Sequence, residues 1–201
     1  MKSQHLRRIT VVALLSGLAA TAAQAHPGHD ASGLMEGLAH PFGLDHLLAM
    51  IAVGIWSVTA LPVHKAWQGP ACFMLALTLG AAWGATGVAL PYLEHMVSLS
   101  VLLFGAMLIL ARRPSLPIAG LAIIGTAAAL HGLAHGAQAP ATGFATYAIG
   151  FLLTTAVLHM AGVGLGLSIR HGLAQRAQLA LGSAGAALGV VGIYLFGQLA
   201  I

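Results

Sequence analysis

Six stretches of apolar residues follow one another with only short breaks, each near the ~20 residues a helix needs to cross a hydrocarbon core of about 30 Å. They run over residues 35–61, 68–90, 95–111, 116–137, 142–168 and 178–201. In lipid, every backbone N–H and C=O must be satisfied within its own segment, so each stretch is expected to be a helix. The expected fold class is therefore all-α: a polytopic membrane protein with a six-transmembrane-helix bundle. Pro62, Pro91, Pro114, Pro117 and Pro140 fall at or between the helix ends, where a missing N–H does least harm. With 59% hydrophobic and 6% charged residues, an ordinary soluble domain is excluded.

Residues 1–25 read as a cleaved signal peptide, the alternative being an uncleaved first transmembrane helix, for which the apolar run is short. Lys2, Arg7 and Arg8 precede an apolar run from Ile9 to Ala23, and Ala23-Gln24-Ala25 has the small-x-small form of a cleavage site. Residues 26–201 then form one transmembrane domain with a short His-containing periplasmic amino terminus, in a bacterial inner membrane. Export of that terminus sets the side of every loop, and the cations agree with it. Lys65, Arg112, Arg113, Arg170 and Arg176 all fall in loops expected to be cytoplasmic, while the outer loops around Leu90 to His95 and Gly136 to Ala141 have no Lys or Arg. The formal charge of +4 reflects a scarcity of acids, and the scattered cations form no stripe for nucleic acid. Cys72, the only cysteine, allows neither an intramolecular disulfide nor a thiolate metal cage. Glycines at four-residue spacing, Gly80/Gly84, Gly132/Gly136, Gly162/Gly166 and Gly185/Gly189, are read as sites of close helix packing.

Ionisable groups inside a span are costly unless they pair or face a cavity, which makes each a functional candidate. His40, Asp45 and His46 lie in the outer half of the first span, and His131 and His135 near the outer end of the fourth. His131 and His135 are one turn apart on one helix face, a spacing that lets two imidazoles meet one metal ion. In a regular helix His40 and His46 would stand about 120° apart. Either one of them points elsewhere, or Pro41 and Gly43 interrupt the helix and redirect His40. Counting along the helices places Asp45, His46 and His131 at similar depth. They are the expected core of one metal site, with His40 and His135 as outer ligands or supporting groups. Imidazoles with one carboxylate suit Ni²⁺, Co²⁺, Zn²⁺ or Cu²⁺, and suit Mg²⁺ or Ca²⁺ poorly.

The other candidates are less specific. After cleavage, His26 and His29 would offer two imidazoles beside a free amine, a metal-capturing tail or simply a polar one. Glu36, Glu94 and His95 are either an external vestibule or solvated helix starts. His159, in the inner half of the fifth span, is either functional or an interhelical hydrogen-bonding group. His64 and His171, beside cations in inner loops, read as interfacial residues.

Those motifs resemble the HupE/UreJ family of hydrogenase and urease accessory proteins, regarded as nickel, and sometimes cobalt, permeases. The resemblance covers nearly the whole mature chain: the His-rich start after the signal peptide, the H-P-x-x-x-D-H run at His40 to His46, and the H-G-x-A-H-G run at His131 to Gly136. The family's second motif carries an aromatic residue before its first His and an acid after its last Gly, where this chain has Leu130 and Gln138. The resemblance implies a secondary, non-ATP-driven permease, not an enzyme, that moves nickel or cobalt from periplasm to cytoplasm for metalloenzyme maturation. The ion is then substrate and no permanent cofactor is needed. The implied partners are the lipid bilayer and the transition-metal ion, and a homo-oligomer and a cytoplasmic nickel acceptor are compatible with them. The sequence contains no nucleotide-binding loop. A potential of about 100 mV, inside negative, is worth about 4.6 kcal/mol for a divalent cation and suffices for passive uptake. A membrane metalloenzyme, or a metal chaperone or sensor that does not transport, are the alternatives built on the same residues.

Overall fold

The computed structural model describes residues 33–88, 90–111, 117–139, 143–172 and 176–199. The expected signal peptide, His26, His29, Arg112 and Arg113 lie outside these. The described residues form helices α1 (Gly33–Ala39), α2 (Leu44–Ala60), α3 (Gln68–Gly84), α4 (Leu93–Leu110), α5 (Pro117–Gln138), α6 (Phe144–Gly172) and α7 (Ala177–Gln198), with 3₁₀ turns at His40–Phe42 and Val63–Lys65. No strand occurs among them.

Helices α4 to α7 are each long and apolar enough to cross a membrane, and α1 with α2 makes a fifth such unit if the bent pair is one span. The stretch expected as one helix over 35–61 is divided, with a bend of 69° between Gly33–Phe42 and Leu44–Ala60. Pro41 lacks the N–H that would continue α1, and Gly43 takes an extended conformation (φ −50°, ψ 138°) before α2 begins. The carbonyl of Leu38, left over at the end of α1, accepts the hydroxyl of Thr154 at 2.9 Å. Helix α3 has 17 residues, ending at Gly84 where the sequence pattern runs on to 90. Its end is set by the turn through Thr86 and by Gly87, whose φ of 83° is left-handed and stops a right-handed helix.

Apolar side chains cover the outside of the bundle as well as filling its core. Leu75, Leu79, Val157, Leu179 and Val190 are exposed on the helix surfaces, whereas Ser57, Ser100, Thr155, His131 and His159 are buried. Lipid is as apolar as leucine, so the helices gain from close backbone approach and internal polar contacts rather than from hiding leucines. Glycine supplies the approach. A Cβ added at Gly80 would strike the Ala129 carbonyl, one at Gly132 the Leu77 carbonyl, and one at Gly136 the Ala81 carbonyl, so α3 and α5 run in backbone contact. Gly54 and Gly162 bring α2 against α6 in the same way, and Gly105 and Gly185 bring α4 against α7. Of the glycine pairs read from the sequence, only Gly189 makes an ordinary contact, with Leu102 Cδ1 at 3.5 Å; Gly192 takes the tight position against Leu102 instead. The bundle is thus three tight pairs, α3–α5, α4–α7 and α2–α6, with α1 folded onto α6.

Candidate metal centre

The break before α2, the C-terminal half of α5 and the N-terminal part of α6 meet at one place, and the histidines of both sequence motifs converge there. His46, in the first turn of α2, is buried, and its Nδ1 lies 3.1 Å from Asp45 Oδ1. An ionised carboxylate only accepts, so Nδ1 carries the proton, and in the neutral ring Nε2 keeps a free lone pair. That lone pair faces His131 Nδ1 at 3.3 Å and His135 Nε2.

His131 is fixed by a partner on a different helix. The hydroxyl of Ser100, in α4, donates its one proton to the Val97 carbonyl at 2.6 Å, and the same oxygen lies 2.8 Å from His131 Nε2. The serine oxygen must therefore accept from His131 Nε2–H, which leaves His131 Nδ1 unprotonated and turned toward His46. His135, one turn further along α5, has its Nδ1 3.0 Å from His40 Nε2. When His135 donates in that bond, its Nε2 also presents a lone pair to the centre.

One nitrogen each of His46, His131 and His135 lies within 4.8 Å of the others. In the tautomers in which His40 accepts from His135 Nδ1–H, the three imidazoles present lone pairs to one point, and this is the donor set a borderline transition metal takes. Each remaining ring nitrogen is held by a neighbour that fixes ring orientation, as is usual for metal-bound histidines. Asp45 also starts α2, where a carboxylate offsets the positive end of the helix dipole that would otherwise repel a cation. Phe151 packs beside three of the rings, its centroid 5.7 Å from His40, 6.3 Å from His46 and 5.1 Å from His135. An apolar cavity of about 230 Å³ between α3, α5 and α6, lined by Leu77, Ala81, Gly136, Tyr147 and Phe151, reaches His135.

All five residues singled out in the two motifs come together, in a different order from the one expected. Asp45, expected in the core, holds the far side of His46, and His135, expected at the periphery, is among the three converging rings. Pro41 and Gly43 turn His40 back to reach His135, as an interrupted helix would allow. Ser100 escaped the sequence reading; a serine in an apolar helix usually bonds its own backbone, and only the depth it shares with His131 could have hinted at more. His159 is apart from the cluster, its Nδ1 bonded to the Thr155 carbonyl at 2.8 Å. His64 is exposed, and the exposed His171 bonds the Leu167 carbonyl of its own helix at 2.9 Å. Glu36 is exposed, His95 packs between Tyr92 and Phe196, and Glu94 accepts a 3.2 Å hydrogen bond from Gln138, so a carboxylate stands beside Gln138 from the neighbouring helix.

Fold and site define a class: a multi-pass helical membrane protein with histidines gathered between its helices. Comparison with known proteins is consistent with that class and narrows it. The family described as HupE / UreJ protein matches residues 12–195. The chain is 39% identical over 175 residues to Protein HupE of Rhizobium leguminosarum bv. viciae, covering 86% of this chain and 89% of that one. No solved structure matches. The chain belongs to the HupE/UreJ family.

Proposed function

We propose that this chain is a secondary permease carrying a divalent transition-metal ion, nickel first and cobalt second, from periplasm to cytoplasm. One observation carries the reading: the convergence of His46, His131 and His135 nitrogens within 4.8 Å inside a membrane bundle, each held from behind by Asp45, Ser100 or His40. Such a set binds a borderline divalent ion and offers nothing comparable to Mg²⁺ or Ca²⁺. The family and the 39% identical Protein HupE support nickel or cobalt as cargo and a hydrogenase or urease as its destination. The proposal includes a cleaved signal peptide, a periplasmic mature amino terminus, and six spans, with α1 and α2 together as one and α3 as a short one. At 17 residues α3 lies at the lower limit of spanning length, roughly 17. His26 and His29 add capture of scarce metal outside the membrane.

Metal uptake by intact cells tests this directly. Asp45→Asn and His131→Ala are expected to reduce nickel uptake nearly to background at normal membrane abundance. His64→Ala and His171→Ala leave it close to unmutated, and His26→Ala with His29→Ala lowers it only when metal is scarce. Full uptake by both Asp45→Asn and His131→Ala would sink the reading, and an uptake-independent catalytic or sensing activity would take its place.

A further inference from the structure

One buried imidazole has no part in the cluster. His159, on α6, is 1% exposed, and its Nδ1 is a donor to the Thr155 carbonyl 2.8 Å away. The proton is therefore on Nδ1, and Nε2 carries a free lone pair. That nitrogen is buried and has no hydrogen-bond partner among the described residues. An unmade bond to a buried acceptor is costly, and such an atom in a membrane interior calls for a ligand.

The position of His159 says which ligand. Its ring lies 4.8 Å from that of Phe73, and Phe73 lies 6.2 Å from His131, itself 4.6 Å from His46. The four rings form a file that starts at the cluster and leads toward the inner ends of α2 and α6. Phe151 borders the cluster, and His159 is eight residues further along the same helix, about 12 Å at ~1.5 Å per residue. The backbones of α2 and α6 touch at this depth, at Gly54 and Gly162, so the ring stands inside the bundle and not against lipid.

We infer that His159 Nε2 is a second metal station on the inner side of Phe73, receiving a divalent transition-metal ion that leaves His46, His131 and His135. The inference rests on the permease reading. A single neutral imidazole binds such an ion far more weakly than three, as an exit station should, since conduction needs sites weak enough to release. A scaffold role is a poorer account: the ring bonds only a carbonyl of its own helix, and Phe would fill the space against Phe73 without an unpaired acceptor.

The test uses the full chain with Ni²⁺ alone as probe, comparing uptake into proteoliposomes with equilibrium binding to the purified protein. His159→Phe keeps an aromatic ring but removes the donor. It is expected to slow uptake at saturating Ni²⁺ about tenfold, a barrier higher by about 1.4 kcal/mol, with cluster affinity unchanged. His159→Cys, which restores a metal donor, is expected to recover much of the rate. An unmutated rate in His159→Phe overturns the inference. So does a rate that stays low in His159→Cys, or uptake and cluster binding that fall together in both variants, since either assigns His159 to the scaffold. The two readings fail separately. Normal uptake by both Asp45→Asn and His131→Ala removes the permease reading, whereas a dead His131→Ala beside a normal His159→Phe removes only the second station.

Discussion

At the scale of single residues, what the cluster can bind depends on which nitrogen of each ring carries the proton, and that is set by Asp45, Ser100 and His40 behind the three rings. Ser100 illustrates it. Its hydroxyl is committed to the Val97 carbonyl, so its oxygen can only accept from His131, and this frees His131 Nδ1. Ser100→Ala should leave the ring buried but untethered, free to protonate Nδ1 instead. Groups of this kind typically contribute 10–100-fold to metal affinity, and a loss of about tenfold in Ni²⁺ affinity is expected by calorimetric titration in detergent. Unchanged affinity would show that packing alone orients His131. The five motif residues are legible in the sequence because charge and imidazole are so expensive in a span. Their division of labour is not. Residue counting gives depth along an axis, but whether Asp45 or His135 faces the centre depends on helix rotation and on the turn at His40–Phe42.

Among elements, the glycine contacts are what bring the histidines within reach of one another. Gly132 separates the two α5 histidines by position, lies against the Leu77 carbonyl, and keeps α5 and α3 in backbone contact. Gly132→Ala forces a methyl group into that contact, and overpacking of this kind costs about 1–3 kcal/mol. The expected result is a lower melting temperature in detergent together with weaker Ni²⁺ binding, because α5 moves with its histidines. Gly164→Ala is the control: a Cβ there meets nothing within 4 Å, so stability should be unchanged. Equal melting of the two variants would refute the close-approach account. Most of these contacts can be anticipated from four-residue glycine spacing within a helix. Gly54 and Gly105 cannot, because neither has a second glycine four residues away in its own helix. The break in the first stretch is foreshadowed by Pro41 and Gly43, whereas its angle of 69° and the seat of α1 on α6 are tertiary facts that residue spacing does not carry.

For the whole molecule, hydropathy and the placement of Lys65, Arg170 and Arg176 at helix ends make the membrane class readable from the residues alone, whereas the pairing of helices is not, since apolar faces look alike to a sequence. The proposed topology puts residues 112–113 in the cytoplasm. A reporter active only in the periplasm, fused after Arg113, should therefore be silent, and activity there would invert the assignment. The pairing has its own consequence. His46 comes from the α2–α6 pair, His131 and His135 from α3–α5, and the Ser100 that steadies them from α4–α7. An ion held by His46, His131 and His135 would join the α2–α6 pair to α3–α5, with Ser100 of α4–α7 behind it, so occupancy and stability are thermodynamically linked. By mass action, free Ni²⁺ at 100 times its dissociation constant should add about 2.7 kcal/mol to stability, read as a melting temperature that climbs with metal. In His131→Ala the climb should vanish. A melting temperature indifferent to Ni²⁺ in the unmutated protein would mean that the three pairs hold together without help from their cargo.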